Sequence, residues 1–263
     1  MEKNSQNQVR RRFRGVNQLY RRLMQLHNAV PFHFSPSGKA FPAWHYFMEV
    51  TRRCNLRCRM CAYREYVERI PPSTLIETEL TLEEWKDIVD QTSRWSLITF
   101  TGGEPWVRQD FAELLAYASR KRRTHIITNG LLITDDRARF CVDLAPKSIT
   151  KPGLISIGVS LDGLAEVHDR IRGRSGAFEE TMTAIRAILR YRKKRGITFP
   201  VIHVTAVIQQ DNLEDLPRMA HVLRTEGIDV LNLTMEVRFT DLDGLGDVDP
   251  EFFCNANLPL PQI

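Results

Sequence analysis

The sequence predicts an α/β protein built on a parallel sheet. Short apolar runs and amphipathic helical patterns alternate between residues 44 and 236, and each apolar run has the length of a buried strand. The chain has 263 residues, of which 43% are hydrophobic, so it can bury one substantial core. Strand–helix alternation implies right-handed crossovers, in either an open doubly wound sheet or a partial barrel.

Six strands and five helices account for this alternation. The strands are predicted at residues 44–51, 97–101, 124–128, 154–160, 201–207 and 228–234. The helices are predicted at residues 81–93, 109–121, 134–142, 177–195 and 212–226. Thr81 with Glu84 three residues later forms a capping-box pattern at the first helix. In either architecture the loops meet at the carboxyl ends of the strands, where we expect the functional residues.

Residues 1–43 come before the alternation and are strongly basic. Positions that recur at helical spacing are Val9, Phe13, Val16, Tyr20, Leu23 and His27. They predict an amphipathic helix with arginines on its other faces, followed by a proline-containing linker. One interpretation is a helix packed on the domain. The alternative is a helix that contacts an anionic membrane or a nucleic acid.

Composition argues against membrane and secreted proteins. No apolar run approaches the roughly 18 residues that a membrane-spanning helix needs, and no signal-peptide pattern is present, so we expect a cytoplasmic protein. Five cysteines, three of them between residues 54 and 61, do not form the spread framework of a disulfide-rich domain. Residues 241–263 are predicted to be irregular, as in a short protein or a fragment of a longer one.

Three cysteines directly follow the first predicted strand. Cys54, Cys58 and Cys61 have the spacing Cys-x3-Cys-x2-Cys, with four arginines among and beside them. Nearby positive charge favours the thiolate, which is the form that binds metals. A closed structural zinc site needs four protein ligands, whereas a cubane held by three cysteines keeps one iron open. Both a zinc site and an open cubane fit the pattern at this stage.

A glycine-rich turn ends the second predicted strand. It reads Gly102-Gly103-Glu104-Pro105. Paired glycines let the backbone approach a ligand closely, and Glu104 supplies a carboxylate for an ammonium group. The cysteine cluster and this turn follow consecutive strands, so we expect them at the same edge of the sheet.

Together the two motifs resemble the signature of the radical S-adenosylmethionine (SAM) superfamily. The resemblance covers about residues 44–240 and implies a partial (β/α)6 TIM-like barrel. It implies a [4Fe–4S] cluster on the three cysteines, with S-adenosylmethionine on the open iron and its amino group at the glycine turn. Met60 stands where the family usually has an aromatic residue beside the adenine. The segment 168–173 resembles a branch of peptide-modifying and cofactor-building enzymes, without their cysteine-rich C-terminal extension.

The resemblance assigns further cofactor contacts to later strand ends. Ser160 is the best candidate to hold the ribose and the methionine carboxylate, and Asp162 and Asn129 are weaker candidates. Val207 would contact the adenine. Arg172 would pair with the methionine carboxylate, because a guanidinium matches a planar anion. No residue is predicted to act directly on the substrate.

The implied function is reductive cleavage of S-adenosylmethionine to a 5′-deoxyadenosyl radical that abstracts hydrogen from a peptide or a cofactor precursor. An electron donor such as flavodoxin or ferredoxin is the implied partner. One alternative is a non-enzymatic zinc-binding or interaction scaffold. A further alternative within the enzyme class is a radical SAM enzyme that the basic N-terminal helix directs to lipid or nucleic acid.

Overall fold

The computed structural model describes residues 22–27, 29–31, 33–34, 39–61 and 63–235. The chain divides into two units, residues 1–43 and residues 44–263. In the first unit, residues 22–27 and 29–31 are helical. The most basic part of the predicted N-terminal helix and the whole C-terminal segment 241–263 lie outside the described residues.

Six parallel strands form one sheet in the second unit. They are β1 (His45–Thr51), β2 (Leu97–Gly102), β3 (Arg123–Thr128), β4 (Gly153–Ser160), β5 (Val201–Ile208) and β6 (Val230–Met235). The strands lie in the sheet in chain order, and every neighbouring pair is parallel. A doubly wound sheet reverses its strand order part-way across. The order observed is therefore that of a partial barrel, and the predicted α/β fold is confirmed.

Helices connect the strands. They are α1 (Arg64–Arg69), α2 (Pro72–Glu77), α3 (Leu82–Gln91), α4 (Phe111–Lys121), α5 (Asp135–Asp143), α6 (Ala165–Arg172), α7 (Ala177–Arg195) and α8 (Leu216–Thr225). The five predicted helices correspond to α3, α4, α5, α7 and α8, and the capping box is confirmed because Thr81 N donates to Glu84 Oε2 at 2.8 Å. None of the described helices is long and apolar enough to cross a bilayer.

Alternate strand residues form the core on one face of the sheet. Ile98, Phe100, Ile157 and Val204 are completely buried and pack with apolar residues of the helices. Cys141 of α5 belongs to the same core, and burial raises the pKa of its thiol to about 12. This packing fixes the strands, and with them the loops at their carboxyl ends.

A polar row crosses the opposite face of the sheet. Thr99 Oγ1 lies 2.6 Å from His45 Nε2 and 2.9 Å from His125 Nδ1, so its hydroxyl can donate to one imidazole and accept from the other. The rings of His125 and His203 lie 4.9 Å apart, above Gly158. A Cβ on Gly158 would meet His203 Nε2 at 2.5 Å, which explains a glycine inside a strand.

Candidate active site

The loops after β1 to β4 enclose one cavity. Its lining is Cys54, Leu56, Arg57, Cys58, Met60, Cys61, Tyr63, Arg64, Thr101, Gly102, Gly103, Ile127, Thr128, Asn129, Ser160 and Arg172. Three strand residues of this lining follow members of the polar row by two positions. They are Thr101 after Thr99, Ile127 after His125 and Ser160 after Gly158. The cavity therefore lies toward the carboxyl ends of the strands.

Nine of the predicted site residues line this cavity. They are Cys54, Cys58, Met60, Cys61, Gly102, Gly103, Asn129, Ser160 and Arg172. Four others are not among the lining residues: Glu104, Pro105, Asp162 and Val207. The structure therefore brings the cysteine cluster and the glycine turn together, as their positions after consecutive strands predict.

Burial affects the thiols of Cys54 and Cys61. Burial raises the pKa of Cys54 to about 11 and also raises the pKa of Cys61. The expectation that neighbouring arginines favour the thiolate was wrong for these two residues. Arg57 Nη1 instead donates to the carbonyls of Cys54 and Leu56, at 2.9 Å in both cases. A metal ligated by these two residues would bind the thiolate form, so its binding would release protons.

A buried ion pair lies beside the cysteine loop. Arg172 Nη2 is 2.6 Å from Asp162 Oδ2, and Arg172 Nη1 is 3.7 Å from Cys58 Sγ. The second oxygen of Asp162 accepts from Val207 N at 2.9 Å. Asp162 is thus fixed inside the protein, and its charge holds the Arg172 guanidinium against the loop.

The glycine turn packs against the start of the cysteine loop. Gly103 N donates to Thr51 O at 2.8 Å, and Glu104 N donates to Arg53 O at 2.9 Å. A Cβ on Gly103 would lie 2.2 Å from Arg53 O, and one on Gly102 would lie 2.1 Å from Thr51 O. The two glycines are needed here because another backbone approaches them, whether or not a ligand does.

The Glu104 side chain points into the protein. Its carboxylate accepts from Thr128 Oγ1 at 2.8 Å, from Asn129 N at 2.7 Å and from Trp106 N at 3.2 Å. Complete burial raises its pKa to about 7. Glu104 therefore joins the turn after β2 to the end of β3. The two preceding glycines, rather than Glu104, line the cavity. Pro105 is buried at the start of a short 3-10 helix.

Seven lining residues were not selected from the sequence, and Tyr63 is one of them. Tyr63 lines the cavity and donates to Glu49 Oε1 at 2.6 Å, and burial raises the pKa of Tyr63 to about 12. Tyr63 belongs to no motif, and its position two residues after Cys61 was its one signal. Glu49 lies within the first predicted strand and is not itself among the lining residues.

Three thiols are the metal-binding donors of the cavity lining. Across the described residues, no three His, Cys, Asp or Glu side chains lie close enough to hold one ion. A zinc ion needs its sulfur ligands about 2.3 Å from one centre. A cubane presents separate irons to separate cysteines. Cys54, Cys58 and Cys61 all line one cavity, as the ligands of one cubane would need to.

Sequence comparison identifies the family. A sequence model of the family described as "Radical SAM superfamily" matches residues 48–223. The chain belongs to the radical SAM superfamily. Radical SAM enzymes use a [4Fe–4S] cluster and S-adenosylmethionine, the two cofactors that the sequence implied.

Relatives of this radical SAM chain include a synthase and a maturation protein. Fe-coproporphyrin III synthase of Methanosarcina barkeri is 35% identical over 199 residues, covering 74% of this chain and 43% of that protein. The sporulation killing factor maturation protein SkfB of Bacillus subtilis is 29% identical over 189 residues, covering 71% of this chain and 41% of that protein. The chain spans about two fifths of the length of these curated relatives.

A solved structure has a similar fold. Streptococcus suis SuiB bound to its precursor peptide SuiA superimposes with a TM-score of 0.58 at 17% sequence identity. The match covers 75% of this chain and 40% of SuiB. At this identity the likeness concerns the fold alone.

Proposed function

We propose that Cys54, Cys58 and Cys61 ligate a [4Fe–4S] cluster at the cavity and that S-adenosylmethionine binds beside it. When bound, the cluster supplies the electron that cleaves S-adenosylmethionine to methionine and a 5′-deoxyadenosyl radical, which abstracts hydrogen from the substrate. The observation that carries this proposal is that the three cysteines and the glycine turn line one cavity at the carboxyl ends of the strands.

The chain's own residues would bind and orient the cofactor. The backbone of Gly102 and Gly103 faces the cavity and is available to the methionine amino group. Ser160 and Asn129 supply polar groups there for the ribose and the carboxylate, and Met60 supplies a polarizable apolar contact for the adenine. These polar groups stand on strand ends and packed turns, so they are held rigidly.

The predicted site residues that do not line the cavity would support residues that do. Asp162 holds Arg172, and Val207 donates its backbone N–H to Asp162. Arg172 reaches the cavity lining, so its guanidinium can meet a carboxylate as well as the Cys58 sulfur. Glu104 would support the glycine turn through its bonds to Thr128 and Asn129.

We further propose a substrate that is a peptide or a cofactor precursor. The names of the relatives support this range, since they include a maturation protein for a sporulation killing factor and an Fe-coproporphyrin III synthase. A flavodoxin or ferredoxin in the cytoplasm would supply the electron. Contact of the N-terminal helix with lipid or nucleic acid stays a prediction, because residues 1–21 lie outside the described residues.

Anaerobic reconstitution tests the proposal. The wild-type protein should take up iron and sulfide and, with dithionite, convert S-adenosylmethionine to 5′-deoxyadenosine. Cys58→Ala should lose both properties, whereas the matched variant Cys141→Ala should keep both because Cys141 lies in the core. An intact cluster without 5′-deoxyadenosine would refute the radical chemistry. One zinc per chain without iron or sulfide would favour the scaffold alternative.

A further inference from the structure

An ion-pair network holds the segment directly before Cys54. Glu79, in the loop after α2, accepts from Arg53 Nε at 3.0 Å and from Arg53 Nη2 at 2.9 Å. It also accepts a short hydrogen bond from the hydroxyl of Thr51, the last residue of β1. The side chains of Glu79 and Arg53 are 12% and 18% exposed, so solvent screens this bidentate pair only partly.

The same carboxylate reaches the segment after the glycine turn. Arg108 Nη1 lies 3.4 Å from Glu79 Oε2 and donates to Val50 O at 3.0 Å and to Leu80 O at 3.1 Å. Arg108 also forms a bidentate pair with Asp110, at 2.9 and 2.7 Å. Arg108 would therefore keep its other partners without Glu79.

Arg53 depends on Glu79 more strongly. Both bonds that its guanidinium donates within the described network go to Glu79. Its carbonyl accepts from Glu104 N, and its N–H donates to Thr51 Oγ1 at 3.0 Å. The glycine turn thus fixes one side of residues 51–53 and Glu79 fixes the other. Cys54 is the next residue in the chain.

We propose that Glu79 is a positioning residue that sets the direction in which the cysteine loop leaves β1. This inference rests on the proposed cluster site. Glu79 does not line the cofactor cavity, so it would act through Thr51 and Arg53 rather than on a ligand. Its charge matters because an amide would turn its NH2 group toward the guanidinium, and two donors would then face each other.

The test compares Glu79→Gln with Glu77→Gln. Glu77 is exposed on α2, so its variant is the matched control. In metal-free protein, the alkylation rate of Cys54, followed by peptide mass spectrometry, should change several-fold in Glu79→Gln, with the buried Cys141 as internal reference. After anaerobic reconstitution, iron affinity should fall by up to about ten-fold, the lower end of the range for direct partners of metal ligands, because Glu79 acts through Thr51 and Arg53. Glu79→Asp keeps the charge and should recover part of both effects.

A second variant removes Arg53, the other partner of the ion pair with Glu79. Arg53→Gln removes the guanidinium and leaves Glu79 paired with Arg108, so it should reproduce the Cys54 alkylation change of Glu79→Gln with less risk to folding. Unchanged alkylation and iron affinity in both variants would overturn the role of Glu79. Failure of the wild type to bind iron would count against the cluster site, while the alkylation comparison would still decide whether Glu79 orders the loop.

Discussion

Arg172 Nη1 lies 3.7 Å from Cys58 Sγ, and the Asp162 carboxylate holds it there from inside the protein. Sequence reasoning had assigned the two residues separately to S-adenosylmethionine. The ion pair between Asp162 and Arg172 connects the turn after β4 with the cysteine loop after β1. A positive charge beside a cluster ligand favours the reduced cluster, which carries one more negative charge.

The double variant Asp162→Asn/Arg172→Gln should therefore lower the midpoint potential of the reconstituted cluster. Both partners are replaced because Arg172→Gln alone would leave a buried carboxylate unpaired, at a cost of about 3–5 kcal/mol. The measurement is a redox titration followed by EPR. Arg170→Gln, on the exposed side of the same helix, should leave the potential unchanged. An unchanged or raised potential in the double variant would show that Arg172 does not influence the cluster.

Glu104→Gln should reduce the free energy of unfolding by about 1–3 kcal/mol, because the amide leaves one buried donor without an acceptor. Thr128 Oγ1 and Asn129 N bind different oxygens of Glu104, and an amide offers only one. Guanidinium unfolding at pH 8, above the pKa of about 7, compares the ionised carboxylate with the amide. Glu113→Gln, whose side chain is 62% exposed, should stay within about 0.5 kcal/mol of wild type. Equal stabilities would mean that Glu104 does not support the turn.

The strands and the cofactor motifs could be predicted because their signals are local. Each strand is a continuous apolar run, and the cysteine cluster and the glycine turn each occupy a few consecutive residues. Helices α1 and α2 were missed because six residues are too few to show helical periodicity. Helix α6 has Leu164 at its N-cap and no side-chain cap, so its start carried no recognisable pattern.

The contacts that support the site could not be predicted from local patterns. Glu79 and Arg53 are 26 positions apart, and Arg172 and Cys58 are 114 positions apart. For Glu104 the sequence motif was recognised, but the burial of its side chain could not be predicted. Only the packing of β2 against β3 turns that carboxylate inward, toward Thr128.

Gly103→Ala should displace the cysteine loop, because the added Cβ would lie 2.2 Å from the carbonyl oxygen of Arg53. Overpacking of this kind costs about 1–3 kcal/mol. Gly196→Ala is the control, since a Cβ there meets nothing within 4 Å and the strain comes only from a φ of +64°. Both variants should lose some stability, but only Gly103→Ala should lose iron on reconstitution. Equal iron content in the two variants would contradict the close-approach argument.

His168 should make the protein sensitive to acid. Its ring is 1% exposed, its Nδ1 accepts from Asp162 N at 3.1 Å, and burial lowers its pKa to about 3. As the pH falls from about 6.5 toward 3, the unfolded chain binds a proton at this imidazole while the folded chain does not, so the free energy of unfolding falls. Between pH 7 and pH 5 this contribution is about 2 kcal/mol.

His168→Asn keeps an acceptor oxygen for Asp162 N but removes the titrating group. Guanidinium unfolding at pH 7 and pH 5 should therefore show a loss of stability about 2 kcal/mol smaller in this variant than in wild type. His221→Asn, at an exposed position of α8, should lose as much as wild type. If His168→Asn loses as much stability as wild type, the imidazole must be able to bind a proton in the folded protein, and its burial beside Asp162 cannot be the source of acid sensitivity.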